Sequence, residues 1–149
     1  MLRTGVARFK EKSRVALAVG LLWVLPSFGS GCYWSRYPEV MATHLQLIEE
    51  YATKLSHLAE DGRTVEVQEW GEFVYPLDGA RDFARIAAKR FPERSSLARF
   101  DAVLARYGEL VASPDVLTRR DALRVVEDGR RDLAQAIAAT REALASEGS

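Results

Sequence analysis

The segment Pro38-Glu-Val-Met-Ala-Thr-His-Leu-Gln-Leu-Ile-Glu-Glu-Tyr-Ala-Thr-Lys-Leu-Ser-His-Leu-Ala-Glu60 decides the fold class. Met41, His44, Ile48, Tyr51, Leu55 and Leu58 recur at alternating spacings of three and four. On a 3.6-residue helix this pattern gathers them into one apolar seam. Asp61-Gly62 supplies the stop, because glycine accepts the left-handed conformation common just past a helix end.

The same period continues toward the C-terminus. Thr64 is placed to cap a second helix with Val67, Trp70, Val74 and Leu77 inward. Thr64-Val-Glu-Val-Gln also alternates like a strand, but one short strand with nothing to pair against is unstable, so helix is the reading. Tyr75-Pro76 is expected to kink or split this helix, because proline removes a donor and disfavours helical geometry in the residue before it. The pattern resumes from Asp78 to Phe91, with Phe83, Ile86, Ala87 and Phe91 on one face. Pro92 ends it.

Ser95 or Ser96 begins helix three, whose seam is Leu97, Phe100, Leu104, Tyr107 and Val111. Ser113-Pro114-Asp115 combines a cap, a first-turn proline and an acid, and opens helix four. That helix runs to about Ala145 with Leu123, Val126, Leu133, Ile137 and Leu144 inward, and Thr118-x-x-Asp121 offers a second start. Gly129 in its middle costs about 1 kcal/mol relative to alanine, and close helix approach is one reason to keep it. The expectation for residues 38–149 is an all-α, antiparallel four-helix bundle, long enough to bury a core without disulfides or metals.

The N-terminus is built differently. Of the 21 basic and 21 acidic residues, five bases and one acid fall in residues 1–14, which leaves 16 bases against 20 acids, a net of −4. A mildly acidic body lacks the basic excess that neutralises phosphates, so nucleic acid is not an expected partner. After the basic segment come eleven uncharged residues, Val15–Leu25, then Pro26 and the small polar run Ser27 to Gly31. Eleven residues rise about 16 Å as a helix, roughly half a hydrocarbon core. A positive region, a short apolar region and small residues form a secretory signal peptide.

The only cysteine of the chain, Cys32, follows at once. Gly29-Ser30-Gly31-Cys32 resembles the lipobox of bacterial lipoproteins, in which signal peptidase II cuts before a cysteine carrying lipid. Gly31 and Ser30 match the small residues of that pattern, whereas Gly29 stands where the family usually has leucine. The resemblance covers the first 32 residues and implies a cleaved signal peptide over 1–31 and acylation, palmitate included, at Cys32. An ordinary signal-peptidase cut after Gly29 or Gly31, with Cys32 fortuitous, and retention of residues 15–34 as an uncleaved anchor are the other readings. Residues 32–37 form a short membrane-proximal segment whose Tyr33, Trp34 and Tyr37 suit the headgroup layer. No Gly/Ser/Pro-rich tether follows. Tyr33 stands where the lipoprotein rule for inner-membrane retention has Asp, which points to the outer membrane of a Gram-negative bacterium.

The sequence excludes several chemistries. One cysteine rules out covalent haem attachment. Neither His44 nor His57 is preceded by Glu at −3, as di-iron bundles require. These histidines differ by about 140° around their helix and cannot clamp one metal. Zinc signatures, Gly-x-Ser-x-Gly and phosphate-binding glycine loops are absent from the mature domain. No metal, cofactor or catalytic residue is expected. Arg119, Arg120, Arg124, Arg130 and Arg131 on helix four are interrupted by acids and read as a solvated face. Trp70, Phe73 and Tyr75 beside Pro76, with His44, are the candidate partner or ligand surface, against a simple core role. The expected function is a non-enzymatic, lipid-anchored adaptor or structural component of an envelope complex, bound to a protein partner. The alternative is a small-ligand or b-type haem carrier using His44, Met41 and the Trp70/Tyr75 region.

Overall fold

The computed structural model describes residues 34–148. The expected signal peptide, Cys32 and Tyr33 lie outside the described residues. Among those described there are four α-helices, one 3₁₀ turn and no strand. The helices are α1 (Tyr37–Asp61), α2 (Val67–Arg90), α3 (Ser95–Leu110) and α4 (Ala122–Glu147), and the turn is Pro114–Thr118. No described helix is long and apolar enough to cross a membrane.

Helix α1 begins one residue before Pro38 and ends at Gly62, whose φ of 61° is the left-handed stop expected from the sequence. Its buried stripe is Met41, Leu45, Ile48, Ala52, Leu55, Ser56 and Ala59. Tyr51, Leu58 and His44 flank it, half-buried. The core face is therefore rotated from the expected seam, because α1 packs on both α2 and α4 and buries a wider arc than a two-helix contact would. Each fully buried leucine or isoleucine here contributes about 1.5–3 kcal/mol.

Helix α2 corrects two expectations. Its cap is Glu66, not Thr64: the Glu66 and Glu69 side chains satisfy each other's backbone N–H groups as a reciprocal capping box. It also runs through Pro76 as one 24-residue element rather than two segments. Pro76 is fully buried, on the same face as Phe73, Leu77 and Ala80. Burial of that face outweighs the missing donor, which costs about 3 kcal/mol in an exposed helix. Val67 and Ile86, expected inward, are exposed. Val67 lies a turn ahead of Trp70, the first residue of α2 to reach the core.

Helix α3 buries every residue expected, together with Val103 and Leu110. Ser113 accepts from Asp115 N at 3.3 Å and caps only the 3₁₀ turn. Thr118 lies inside that turn with its hydroxyl donating to the Asp115 carbonyl, and α4 starts past both expected sites, at Ala122 with Asp121 as its N-cap. Val116 and Leu117 in that turn are buried, and pulling both inward breaks the helical period. Leu123, in the first turn of α4, is exposed, and Ala122 and Val126 take the inward positions. A Cβ on Gly129 would lie 2.5 Å from Leu110 Cδ2, which is why glycine stands where α4 meets α3.

The ends are tied by polar contacts. Glu147, on the last turn of α4, accepts from the Ser96 backbone N–H at 2.8 Å, from Ser96 Oγ at 2.7 Å and from Ser95 Oγ at 3.1 Å. It thereby satisfies orphan donors at the start of α3, which its own neighbour Arg94 cannot cap. Tyr37 Oη lies 2.9 Å from Ser96 Oγ, joining α1 to this cluster. The Tyr37 ring sits 5.7 Å from Phe83 and 5.3 Å from Phe91. At 3% exposure Tyr37 belongs to the core, not to a headgroup layer.

Candidate functional site

The four candidate surface residues separate into different environments. Trp70 is buried, and its indole N–H donates to the Val111 carbonyl at 3.2 Å, pinning the start of α2 to the end of α3. Phe73 is buried between Trp70, at 5.5 Å, and Tyr51, met edge-on at 5.7 Å. Tyr75 points the other way and is 73% exposed. His44 lies elsewhere, its ring 5.2 Å from Phe83 and 6.4 Å from Phe100. Burial pushes its imidazole below the ordinary value of 6.5, so it is neutral at pH 7. Met41, the other residue of the carrier reading, is completely buried.

One of these residues reaches a groove. Between the last two turns of α1 and the start of α2 lies a depression of 330 Å³ that includes Phe73. Leu58, Val65 and Phe73 supply its apolar surface. Lys54, His57 and Arg63 stand on one side, Glu69 and Glu72 on the other. The local sequence explains the walls. Gly62 ends α1, the Glu66–Glu69 box starts α2, and the link between them places Val65 on the same depression as Leu58.

The rim is ordered by weak contacts. Lys54 Nζ sits 4.3 Å above the Tyr51 ring centroid. Arg63 reaches Glu69 at 3.4 Å, and His57 Nδ1 reaches Glu60 at 3.5 Å. Pairs this exposed contribute about 0–1 kcal/mol and exchange readily for a partner's groups. Val67, 80% exposed at the first position of α2, adds an apolar contact at the same helix start. A shallow apolar depression with exchangeable charges at its edge suits one or two side chains of a protein partner. Among the described residues no group of three His, Cys, Asp or Glu side chains is placed to hold a metal ion.

The sequence pattern did not reveal this groove. Leu58 belongs to the expected seam of α1 and Val65 to the stretch that alternates like a strand. The available signal was Glu66-x-x-Glu69, a capping-box spacing with glutamate where serine or threonine is usual. Comparison with protein-family models, curated protein sequences and solved structures finds no match to this chain.

Proposed function

We propose that this chain is a lipid-anchored lipoprotein of a Gram-negative cell envelope, held at the outer membrane and facing the periplasm. In this reading residues 1–31 are removed and Cys32 carries the lipid. The mature body is an up-down-up-down antiparallel four-helix bundle that acts as a non-enzymatic adaptor for an envelope protein. The observation that carries the proposal is Gly29-Ser30-Gly31-Cys32 at the end of a signal-like segment.

The bundle topology draws support from which residues meet. The start of α1 meets the end of α2 through Tyr37 and Phe91, and Glu49 of α1 meets Arg141 of α4. Trp70 of α2 meets Val111 after α3, and Ser96 of α3 meets Glu147 of α4. Close attachment draws support from Tyr37, already buried five residues after Cys32. Five residues span at most about 18 Å. The groove proposed for the partner lies toward the other end of α1 from Tyr37, at Lys54, His57 and Leu58.

Metabolic labelling with a fatty acid tests the anchor. Wild type incorporates label and Cys32→Ser does not; equal incorporation overturns the reading. Crosslinking in intact envelopes tests the adaptor face. Val67→Asp and Glu72→Lys, both at exposed positions beside or on the groove, are expected to remove a crosslinked species without lowering Tm. Unchanged crosslinking places the partner elsewhere.

A further inference from the structure

A second groove lies between α1 and α4 and has a different construction. Its volume is 310 Å³. Ala52, Leu133 and Ile137, all buried, form its floor, and Ala134, exposed, forms one lip. The room exists because Ala52 is small where α1 otherwise buries Ile48 and Leu55, and Ala134 is small at the lip.

Two ties between α1 and α4 bound the groove. Arg141 Nη2 donates to Glu49 Oε2 at 2.8 Å, and the Ser56 hydroxyl donates to Glu127 Oε1. Glu49 and Ser56 are seven residues apart on α1, about 10 Å at 1.5 Å per residue. A partner's helix laid along the groove would collide with both ties. The space instead matches the lower end of small-molecule pockets, about 300 Å³.

Charge decides the ligand class. Both carboxylates on the rim are already engaged: Glu49 by Arg141, and Glu127 by Ser56 and by Arg130 at 3.2 Å. The Ser56 hydroxyl bond, opposed by slight desolvation and aided by Arg130, holds the Glu127 carboxyl below its usual range. Arg131 pairs with exposed Asp128, one helical turn back on α4, at 3.2 Å, and acts on Glu127 through its charge without a hydrogen bond. Such a pair contributes about 0–1 kcal/mol and is readily exchanged. The exchangeable group on the rim is thus a guanidinium, whose planar fork suits a carboxylate.

We propose that this groove binds a small amphipathic carboxylate, its apolar body of up to about 10 Å lying on Ala52, Leu133 and Ile137 and its carboxylate on Arg131 and Arg130. A medium-chain fatty acid has this chemistry. The site is separate from the adaptor groove and does not depend on the anchor.

Photolabelling of the full chain in isolated membranes tests the proposal. The probe is an octanoate bearing a diazirine, with the corresponding alcohol as its neutral counterpart. The acid is expected to label peptides covering 49–53 and 130–137. Ala134→Phe fills the groove from its exposed lip and is expected to lower labelling about tenfold. Arg131→Gln is expected to lower it about fivefold, the equivalent of one exchangeable ion pair. Circular dichroism of both variants checks that they remain folded. Equal labelling by acid and alcohol, labelling elsewhere in the chain, or labelling indifferent to Ala134→Phe would each overturn the proposal.

Discussion

Tyr107 Oη donates a 2.7 Å hydrogen bond to the Phe73 carbonyl, three residues before Pro76. This carbonyl lies in the turn that proline disturbs, and a hydroxyl from α3 supports it from outside the helix. Both residues are buried, and burial pushes the Tyr107 phenol well above its usual range, so it stays a donor at all working pH values. Tyr107→Phe keeps the ring but removes the support, and should destabilise the protein by about 1–3 kcal/mol. Urea denaturation measures this. A loss under 0.5 kcal/mol would mean that α2 tolerates Pro76 unaided.

This tie also shows what pattern reading reaches. Four helices, the Gly62 stop and the α3 core follow from period and local geometry, which neighbouring residues determine. Continuity through Pro76 does not. It rests on burial of the Phe73, Pro76, Leu77 and Ala80 face. Beside that face a hydroxyl 34 residues away in sequence adds a bond, and both are delivered only by tertiary packing. Tyr37 was misread for the same reason: an aromatic near a lipid anchor suits the interface, and only Phe83, Phe91 and Ser96 reveal that it is core. The separation of Trp70 and Phe73 from Tyr75 follows from helix rotation, yet it becomes visible only once the buried face of α2 is known.

Glu147 gives a pH-dependent prediction. Burial opposes its ionisation, but hydrogen bonds from Ser96 and Ser95 and the charge of Arg94 outweigh it, holding the carboxyl below the usual range. A carboxylate with a depressed folded value stabilises above its unfolded value, near 4.5, and loses that contribution as pH falls through the folded one. Glu147→Gln should therefore cost about 1–2 kcal/mol at pH 7 and progressively less below pH 4. Thermal melts across that range distinguish this from a pH-independent packing loss.

His44 acts in a higher window. Its folded value is depressed, so only the unfolded chain takes up a proton as pH falls below about 6.5. Stability is full above that pH and declines below it. His44→Phe should flatten the decline between about pH 6.5 and 5. An unchanged slope in that variant would assign the effect to another group.

Two helical glycines should respond oppositely to alanine. At Gly71 nothing lies within 4 Å of an added Cβ, so Gly71→Ala should stabilise by about 1 kcal/mol. At Gly129 the Cβ meets Leu110, a buried side chain, and Gly129→Ala should destabilise by about 1 kcal/mol despite the gain in propensity. Chemical denaturation reads both. Leu110→Ala in the Gly129→Ala background should remove the steric component.

The wedge of Tyr37 between Phe83 and Phe91 has a mechanical consequence. The joint fixes the first turn of α1 against the end of α2. The 25 residues of α1 then serve as a strut about 37 Å long. In the proposed adaptor, a partner docked beyond Leu58 would be carried at a set distance and heading from that joint.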